Sequence, residues 1–453
     1  MGRLLATAAG LMGIGVAGCA IDPGPETFER TRCNFLSYYL EVEAPDPEAR
    51  AWNKQRRMES GERSLADALR TLYSTQSGAG VSDSMLFLSG GSQDGAFGVG
   101  FLDGWSRRRT AAGRQGLPDF KVVTGISTGA IFSTWAFIDQ ADKPAIHYRI
   151  SEEGKILHPY IRPGSDFSLI KAVARKGAVG DLEPLRRLLI DNLTPATFEE
   201  IVKQRTRGRA LYIGAVDIDS GKALAFDMTR MAQDYVDASL DRKEKYRDCY
   251  ADAIIASSSV PMAALPTFID NRMYIDGGAR FGVFSDELGA VVEERANEAL
   301  VDSVPPGPPF IYVLVNGDLT VRAQCGKVDK GLCREGTSGG WQGRHADWRI
   351  QELARRSADI LIDQVYLTSV ERIRRRASDR QFGFKIDYIH ADAETFPFKL
   401  DHPKLGKGDH GCGEWREIDD KVDRPVEFHP RYMHCLIAYG ASRADKLGWA
   451  ALE

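Results

Sequence analysis

The chain has 453 residues, of which 43% are hydrophobic and 27% are charged, a composition typical of globular proteins. This length is enough for one large domain or two of ordinary size. The formal net charge of -4 lacks the strongly basic balance of a nucleic-acid-binding protein, so we expect no nucleic-acid partner.

The first feature along the chain is an apolar stretch that resembles the signal of a bacterial lipoprotein. Arg3 precedes the apolar residues 4–18, which are too few to span a bilayer comfortably. The sequence VAGC at 16–19 is similar to a lipobox, in which the signal is cleaved before the cysteine and the cysteine is acylated. Residues 1–18 are therefore predicted to be a signal peptide, and Cys19 a lipidated membrane anchor.

This resemblance implies a lipid-anchored protein of the bacterial cell envelope. Ala20, rather than an acidic residue, follows the cysteine, which favours the outer membrane, facing the periplasm. An ordinary secretory signal that is cleaved nearby is the alternative. No pattern in the sequence predicts an oligomeric state.

Export also changes how the other cysteines are interpreted, because disulfides form in oxidising compartments. Cys325 with Cys333, and Cys412 with Cys435, are the favoured pairs, since each would close a loop rich in glycine and charge. Sequence alone leaves many pairings open, and no CxxC motif indicates zinc. The six cysteines beyond Cys19 are Cys33, Cys249, Cys325, Cys333, Cys412 and Cys435.

The rest of the chain divides into three predicted regions. Residues 19–84 form an N-terminal helical segment, broken near Pro45 and Pro47, with a Ser- and Gly-rich linker. In residues 85–320, short apolar runs alternate with amphipathic stretches, which predicts an α/β domain with helices on both faces of a sheet. The predicted strands are 85–89, 121–124, 211–216, 223–227, 273–275 and 310–316, and the clearest helices are 97–108, 129–138, 181–191 and 246–257.

Residues 321–453 are predicted to be an extension packed on this core. A long helix is predicted over 348–376, and it ends in the arginine-rich segment RIRRR at 372–376. Both a helix that covers the core and a surface that contacts a membrane fit this pattern. Beyond Phe384 long periodic runs are few, so we expect irregular structure held by a disulfide.

A glycine-rich loop, GGSQDG at 90–95, stands between a predicted strand and a predicted helix. Backbone N–H groups in such a loop bind a phosphate or an oxyanion. The P-loop pattern fails, because Ala96 and Phe97 stand where lysine and Ser/Thr are required. A dinucleotide fingerprint also fails, since Asp103 stands at its third glycine. An oxyanion is therefore the favoured occupant.

A second glycine motif, GISTG at 125–129, also lies between a strand and a helix. This is the setting of a nucleophile elbow, in which Gly125 and Gly129 permit a tight turn and Ser127 projects its hydroxyl. A capping serine in an ordinary glycine turn is the alternative.

A serine nucleophile needs a general base. Asp276 is the preferred candidate, because it follows a short strand and opens the turn DGG at 276–278. A plain turn is the alternative for this motif taken alone. The late histidines leave a Ser-His-Asp arrangement open, and they are His345, His390, His402, His410, His429 and His434.

Together, in this order, these motifs and the stretch ASSSVP at 256–261 resemble the patatin-like phospholipase family. The resemblance covers roughly residues 85–316 and implies a three-layer α/β fold with a mostly parallel central sheet. It implies a serine lipid acyl hydrolase that acts on membrane lipid without metal or cofactor. The implied dyad is Ser127 and Asp276, and the implied oxyanion hole consists of the N–H groups of Gly90, Gly91 and Ser92.

Three positions depart from the family pattern. Ser92 replaces a glycine, but its N–H group can still donate. Asp94 replaces an arginine or lysine and so removes a positive charge where negative charge develops, although it could cap the following helix. Arg280 lies in the segment ARFG at 279–282, which replaces an asparagine often found after the DGG motif. A Ser-His-Asp carboxylesterase on soluble esters and a non-catalytic envelope lipoprotein are the alternatives.

Overall fold

The computed structural model describes eight parts of the chain: residues 33–42, 63–75, 77–107, 117–160, 176–284, 310–319, 350–379 and 382–447. The predicted signal peptide, Cys19 and the Cys325–Cys333 pair lie outside these residues. Within them, no helix combines the length and the apolar character needed to cross a membrane.

The strands are β1 (Tyr39–Glu41), β2 (Arg63–Ser64), β3 (Val81–Leu88), β4 (Asp119–Ile126), β5 (His158–Pro159), β6 (Ala178–Asp181), β7 (Ala210–Asp217), β8 (Lys222–Asp227), β9 (Met262–Ala264), β10 (Thr267–Ile269), β11 (Arg272–Asp276), β12 (Phe310–Leu314), β13 (Gly383–Asp387), β14 (Phe398–His402) and β15 (Gly406–His410). The helices are α1 (Leu65–Tyr73), α2 (Gly95–Arg107), α3 (Thr128–Phe137), α4 (Asp142–Tyr148), α5 (Glu183–Asn192), α6 (Pro195–Thr206), α7 (Met228–Asp237), α8 (Leu240–Ser258), α9 (Ile350–Asp379), α10 (Cys412–Val422) and α11 (Pro430–Leu447). The strands and helices predicted in residues 85–320 are confirmed, with shifts of up to six residues at their ends.

A central sheet organises the molecule. Its strand order is β13-β12-β3-β4-β7-β8-β1-β2, and the first five strands of that order run parallel to one another. Strand β8 is antiparallel to β7, and so is β11, which pairs with the end of β7. The mostly parallel α/β fold is therefore confirmed.

Apolar side chains fill both sides of this sheet. Along β3, Leu86 and Leu88 belong to one buried cluster, whereas Met85 and Phe87 belong to the other, because successive side chains of a strand point to opposite faces. Helices α2, α3, α8 and α11 cover the first face, and α1 and α9 contribute to the second. The result is three layers, with the sheet in the middle.

The N-terminal region differs from the predicted helical segment. Among its described residues, 33–42 and 63–75, those of β1 are all buried and pair with β8, so this part extends the sheet, whereas a short 3-10 turn at Phe35–Ser37 and α1 are helical. A disulfide from Cys33 to Cys249 and the carboxylate of Asp270, which accepts the N–H groups of Cys33 and Phe35, hold the preceding turn in place. These distant partners outweigh the local helical pattern. The predicted linker also ends early, since β3 begins at Val81.

The prediction of irregular structure beyond Phe384 is wrong. Strand β13 joins the sheet, β14 and β15 form a hairpin, and the Cys412–Cys435 disulfide, which is confirmed, joins α10 to α11. Helix α11 lies against α2 at two glycines: a Cβ atom on Gly100 would collide with the carbonyl oxygen of Ile437, and one on Gly104 would lie 2.9 Å from the Cα atom of Ala441. The close approach of these helices brings the C-terminal region to the glycine-rich loop.

Candidate active site

Ser127 occupies a sharp turn between β4 and α3. Its φ of 54° and ψ of -126° are costly for a residue with a side chain, on the order of 1–3 kcal/mol. Two glycines allow the turn: a Cβ atom on Gly125 would lie 2.6 Å from the carbonyl oxygen of Gly129, and one on Gly129 would lie 2.6 Å from that of Ser89. The strained serine and the close backbone contacts are the geometry of a nucleophile elbow.

Two consecutive serines at the end of α8 hold the backbone of this turn. The N–H group of Ser127 donates to Ser257 Oγ at 2.9 Å, and the Ser258 hydroxyl donates to the carbonyl oxygen of Ser127 at 3.2 Å. The Ser257 hydroxyl in turn donates to the carbonyl oxygen of Gly214, in β7, at 2.5 Å. The role of the ASSSVP stretch is thus to fix the elbow, which the sequence did not reveal.

The sheet register brings Asp276 to Ser127. Strand β4 pairs with β7 up to Ile126, which lies opposite Gly214. Beyond that point β7 pairs with β11 instead, and Asp276 lies opposite Ala215. The last residues of β4 and β11 therefore meet, and the residue after Ile126 is Ser127.

The Asp276 carboxylate is buried and only partly hydrogen-bonded. Its Oδ1 atom accepts the N–H group of Gly278 at 2.6 Å, whereas Oδ2 is buried with no hydrogen-bond partner among the described residues. Burial raises the pKa of Asp276 to about 7, and the facing Ser127 hydroxyl and the Gly278 N–H group oppose that rise. The Ser127 hydroxyl thus lies close enough to the carboxylate to favour its charged form.

The glycine-rich loop lies on the other side of Ser127. A Cβ atom on Gly90 would be 2.8 Å from Ser127 Cβ and 3.4 Å from its Oγ. Gly91 has a φ of 150° and Ser92 a φ of 49°, so the backbone turns its N–H groups away from the strand ladder. In the part of the chain that the structure describes, the N–H groups of Gly90, Gly91 and Ser92 have no hydrogen-bond acceptor. They are free to bind an anion.

Asn316, which follows β12, fixes the start of this loop and was not predicted. Its side-chain amide donates to the carbonyl oxygen of Ser89 at 2.6 Å, and its N–H group donates to Ser89 Oγ at 2.8 Å. A Cβ atom on Gly91 would collide with the carbonyl oxygen of Asn316, so only glycine fits there.

Comparison with known families matches residues 86–286 to the patatin-like phospholipases. These residues form a patatin-like phospholipase domain. No curated protein showed significant similarity to the chain. The family is one of lipid acyl hydrolases, a class of ester hydrolases, and residues 86–286 are the part of the chain that matches it.

Three side chains from beyond the patatin-like match bind the glycine-rich loop, and we call Glu427, His429 and Tyr432 the C-terminal triplet. They bind three consecutive loop residues. The Ser92 hydroxyl donates to Glu427 Oε1 at 2.6 Å, Gln93 Oε1 accepts the N–H of His429 at 3.1 Å and its Nδ1–H at 2.9 Å, and the Tyr432 hydroxyl donates to Asp94 Oδ1 at 3.0 Å.

The charge of Asp94 is balanced from outside the loop. The buried guanidinium of Arg416, in α10, lies 5.5 Å from the centre of the Tyr432 ring. Burial lowers the pKa of Arg416, but Tyr432 and Asp94 outweigh this and raise it, so the arginine remains charged. Asp94 thus adds a negative charge to the loop of this patatin-like domain, and α10 supplies the cation of Arg416 beside it.

The structure does not bring a described histidine to Ser127. His429 is bound to the loop through Gln93, His434 contacts the carbonyl oxygen of Ile150 at 3.1 Å, and His390 contacts Asp387 at 3.2 Å. His345 lies outside the described residues. Among the described residues, no group of three His, Cys, Asp or Glu side chains is arranged to hold a metal ion.

Proposed function

We propose that this chain is a serine lipid acyl hydrolase in which Ser127 is the nucleophile and Asp276 the general base. The observation that carries the proposal is the strained Ser127 opposite a buried carboxylate with one unpartnered oxygen. A carboxyl group whose pKa is near 7 is suited to accept a proton at neutral pH.

The proposed reaction has two steps, and the chain's own groups perform both. Asp276 takes the Ser127 proton while Oγ attacks the acyl carbonyl carbon, and the N–H groups of Gly90, Gly91 and Ser92 stabilise the oxyanion. The proton passes to the leaving alcohol as the ester bond breaks. Asp276 then takes a proton from the water that attacks the acyl-serine, and it returns this proton to Ser127 Oγ as the acyl–oxygen bond breaks and the fatty acid is released.

The proposed substrate is an acyl ester of membrane lipid, in the manner of a phospholipase A or lysophospholipase. Lipidation at Cys19 would hold the domain on the outer membrane, facing the periplasm, with its substrate in the same bilayer. Labelled palmitate that enters the wild-type protein but not the Cys19→Ser variant would support this location, and equal labelling of both would contradict it.

Hydrolysis assays test the dyad. Phospholipid, lysophospholipid, triglyceride and a short-chain nitrophenyl ester are compared side by side. Ser127→Ala and Asp276→Asn should each lower kcat about 10³-fold or more. Ser133→Ala is the matched control, because that buried serine lies on α3 and its hydroxyl donates only to the carbonyl oxygen of Ala130.

Three results would contradict the proposal. Full activity of the Ser127→Ala variant would exclude the nucleophile. Loss of activity on replacing His429, with Asp276→Asn still active, would favour a Ser-His-Asp esterase. A wild-type protein that hydrolyses no ester and is not labelled at Ser127 by a fluorophosphonate would be a non-catalytic lipoprotein.

A further inference from the structure

Helix α9 lies against the second buried cluster and places a tyrosine near Ser127 and Asp276. Its inward residues Val370 and Ile373 pack in the cluster that contains Phe281, and Ser369 Oγ accepts the N–H group of Gly282 at 3.1 Å. Tyr366 is on the same side of the helix, one turn earlier, and is 7% exposed. The helix is thus anchored on the segment that follows the DGG motif.

The Tyr366 hydroxyl lies between the glycine-rich loop and the base. A Cβ atom on Gly90 would collide with the hydroxyl oxygen, and one on Gly278 would be 3.4 Å from it. A Cβ atom on Gly282 would lie 2.8 Å from the Tyr366 Cα atom, so the missing side chain at Gly282 lets the tyrosine come this close.

This hydroxyl has no hydrogen-bond partner among the described residues. Tyr366 is 7% exposed and its hydroxyl oxygen is not one of the fully enclosed unpartnered atoms, so a molecule that enters the site can reach it. Burial and the charges of Asp276, Asp363 and Asp94 raise the pKa of Tyr366, so it remains protonated. The unpartnered Oδ2 of Asp276 is an acceptor in the same site. A reacting ester would give the hydroxyl its missing partner.

We propose that Tyr366 is a further catalytic residue, whose hydroxyl donates to the oxyanion beside the N–H groups of Gly90 and Gly91. This inference rests on the proposed function. The oxyanion is preferred to the leaving-group oxygen because the hydroxyl adjoins Gly90 of the loop. A cation at this position would lower the pKa of Asp276 and so make it a weaker base. A neutral hydroxyl stabilises the oxyanion without adding that positive charge.

The test is Tyr366→Phe, which keeps the packed ring and removes the hydroxyl. We expect kcat to fall about 10- to 100-fold with KM changed little, since the lost hydrogen bond forms mainly in the transition state. Tyr274→Phe is the control: its hydroxyl also lacks a hydrogen-bond partner among the described residues, but it is enclosed in the core, where its ring packs on Phe35 and Phe226. That control should retain wild-type kcat.

A series of esters whose leaving alcohols differ in acidity shows whether the Tyr366 hydroxyl donates its hydrogen bond to the oxyanion or to the leaving-group oxygen. For an oxyanion donor, the loss in Tyr366→Phe is the same across the series. A loss that grows for the poorer leaving groups would overturn the assignment and place the hydroxyl on the leaving oxygen. Tyr366→Gln, which retains an N–H donor, should recover part of the lost kcat, and no recovery would count against the donor role.

Other outcomes separate this proposal from the proposed function. Unchanged kcat in Tyr366→Phe, while Ser127→Ala is inactive, would overturn the role of Tyr366 alone. Increased kcat would mean that the side chain only blocks the site, and would also overturn it. A wild-type protein that is inactive on every ester would overturn both proposals.

Discussion

The two sides of Ser127 are held in different ways. On the side of the elbow and the base, close backbone packing and buried serine hydroxyls fix the atoms, and the contacts lie within the patatin-like match. On the side of the glycine-rich loop, polar side chains of the C-terminal triplet supply the contacts from outside that match. A tightly packed backbone cannot accept even one added side-chain atom without moving. A loop held by several hydrogen bonds loses only part of its support when one of them is removed.

The segment that carries the C-terminal triplet is itself bound by a residue of the patatin-like domain. The carboxylate of Glu153 accepts three successive N–H groups, those of Val426, Glu427 and Phe428, at 2.9, 2.7 and 2.9 Å. The C-terminal triplet is therefore positioned by the patatin-like domain whose loop it binds. The two regions form one polar network around the loop.

The largest effect is expected from a change at the elbow. In Gly125→Ala the new Cβ atom would lie 2.6 Å from the carbonyl oxygen of Gly129 and 2.8 Å from Ala130 Cα. Neither backbone atom can move without displacing Ser127, so kcat/KM should fall more than about 10³-fold. Ester hydrolysis and thermal unfolding measure the result. Gly221→Ala is the control, since a Cβ atom there has nothing within 4 Å despite its φ of 67°. Near-normal turnover in Gly125→Ala would show that the elbow is not sterically fixed.

An intermediate effect is expected from pH, which acts on the base. The proposed base would work when deprotonated, so kcat/KM should fall about tenfold per pH unit below the Asp276 pKa of about 7. Stability should move in the opposite direction: the folded-state pKa is raised, so the carboxyl favours the native state at low pH and this contribution is lost as pH rises through 7. Initial rates and melting temperatures from pH 5 to 9 test both trends. A rate that is flat across this range would exclude Asp276 as the base.

The smallest effect is expected from the loop. Gln93→Ala removes the acceptor of two hydrogen bonds from His429 and should lower kcat about tenfold, because the loop loses order while its N–H groups remain. Gln204→Ala is the matched control, since that buried glutamine lies on α6 and accepts bonds from Arg207 and Arg209 in the turn before β7. It should lower stability but not kcat. Equal kcat losses in both variants would mean that the triplet has no specific effect on the loop.

The sequence predicted those features that depend on residues close together in the chain, such as strands, helices and the glycine motifs between them. Each of the glycine motifs at 90–95 and 125–129 follows a strand and precedes a helix, and their order identified the family. The residue types also predicted that Ser127 and Asp276 would meet, because each follows a strand of one sheet. Strand and helix periods are short, so a single sequence reveals them.

Long-range polar contacts could not be predicted in the same way. Glu427, His429 and Tyr432 follow no period, and their partners are 335 to 338 residues away. Tyr366 carries the same apolar signal as any core residue of an amphipathic helix. Strand β1 depends on pairing with β8 and on a distant disulfide, and neither leaves a trace in its own three residues. Only tertiary structure supplies such information.

The C-terminal triplet and the loop that it binds lie far apart in the chain, since Glu427 follows Ser92 by 335 residues. A chain that ends before Glu427 would therefore contain the elbow, the proposed base and the whole glycine-rich loop, but it would lack the three contacts that the triplet makes with that loop. Loss of the C-terminal residues would thus act on the proposed oxyanion hole and leave Ser127 and Asp276 in place.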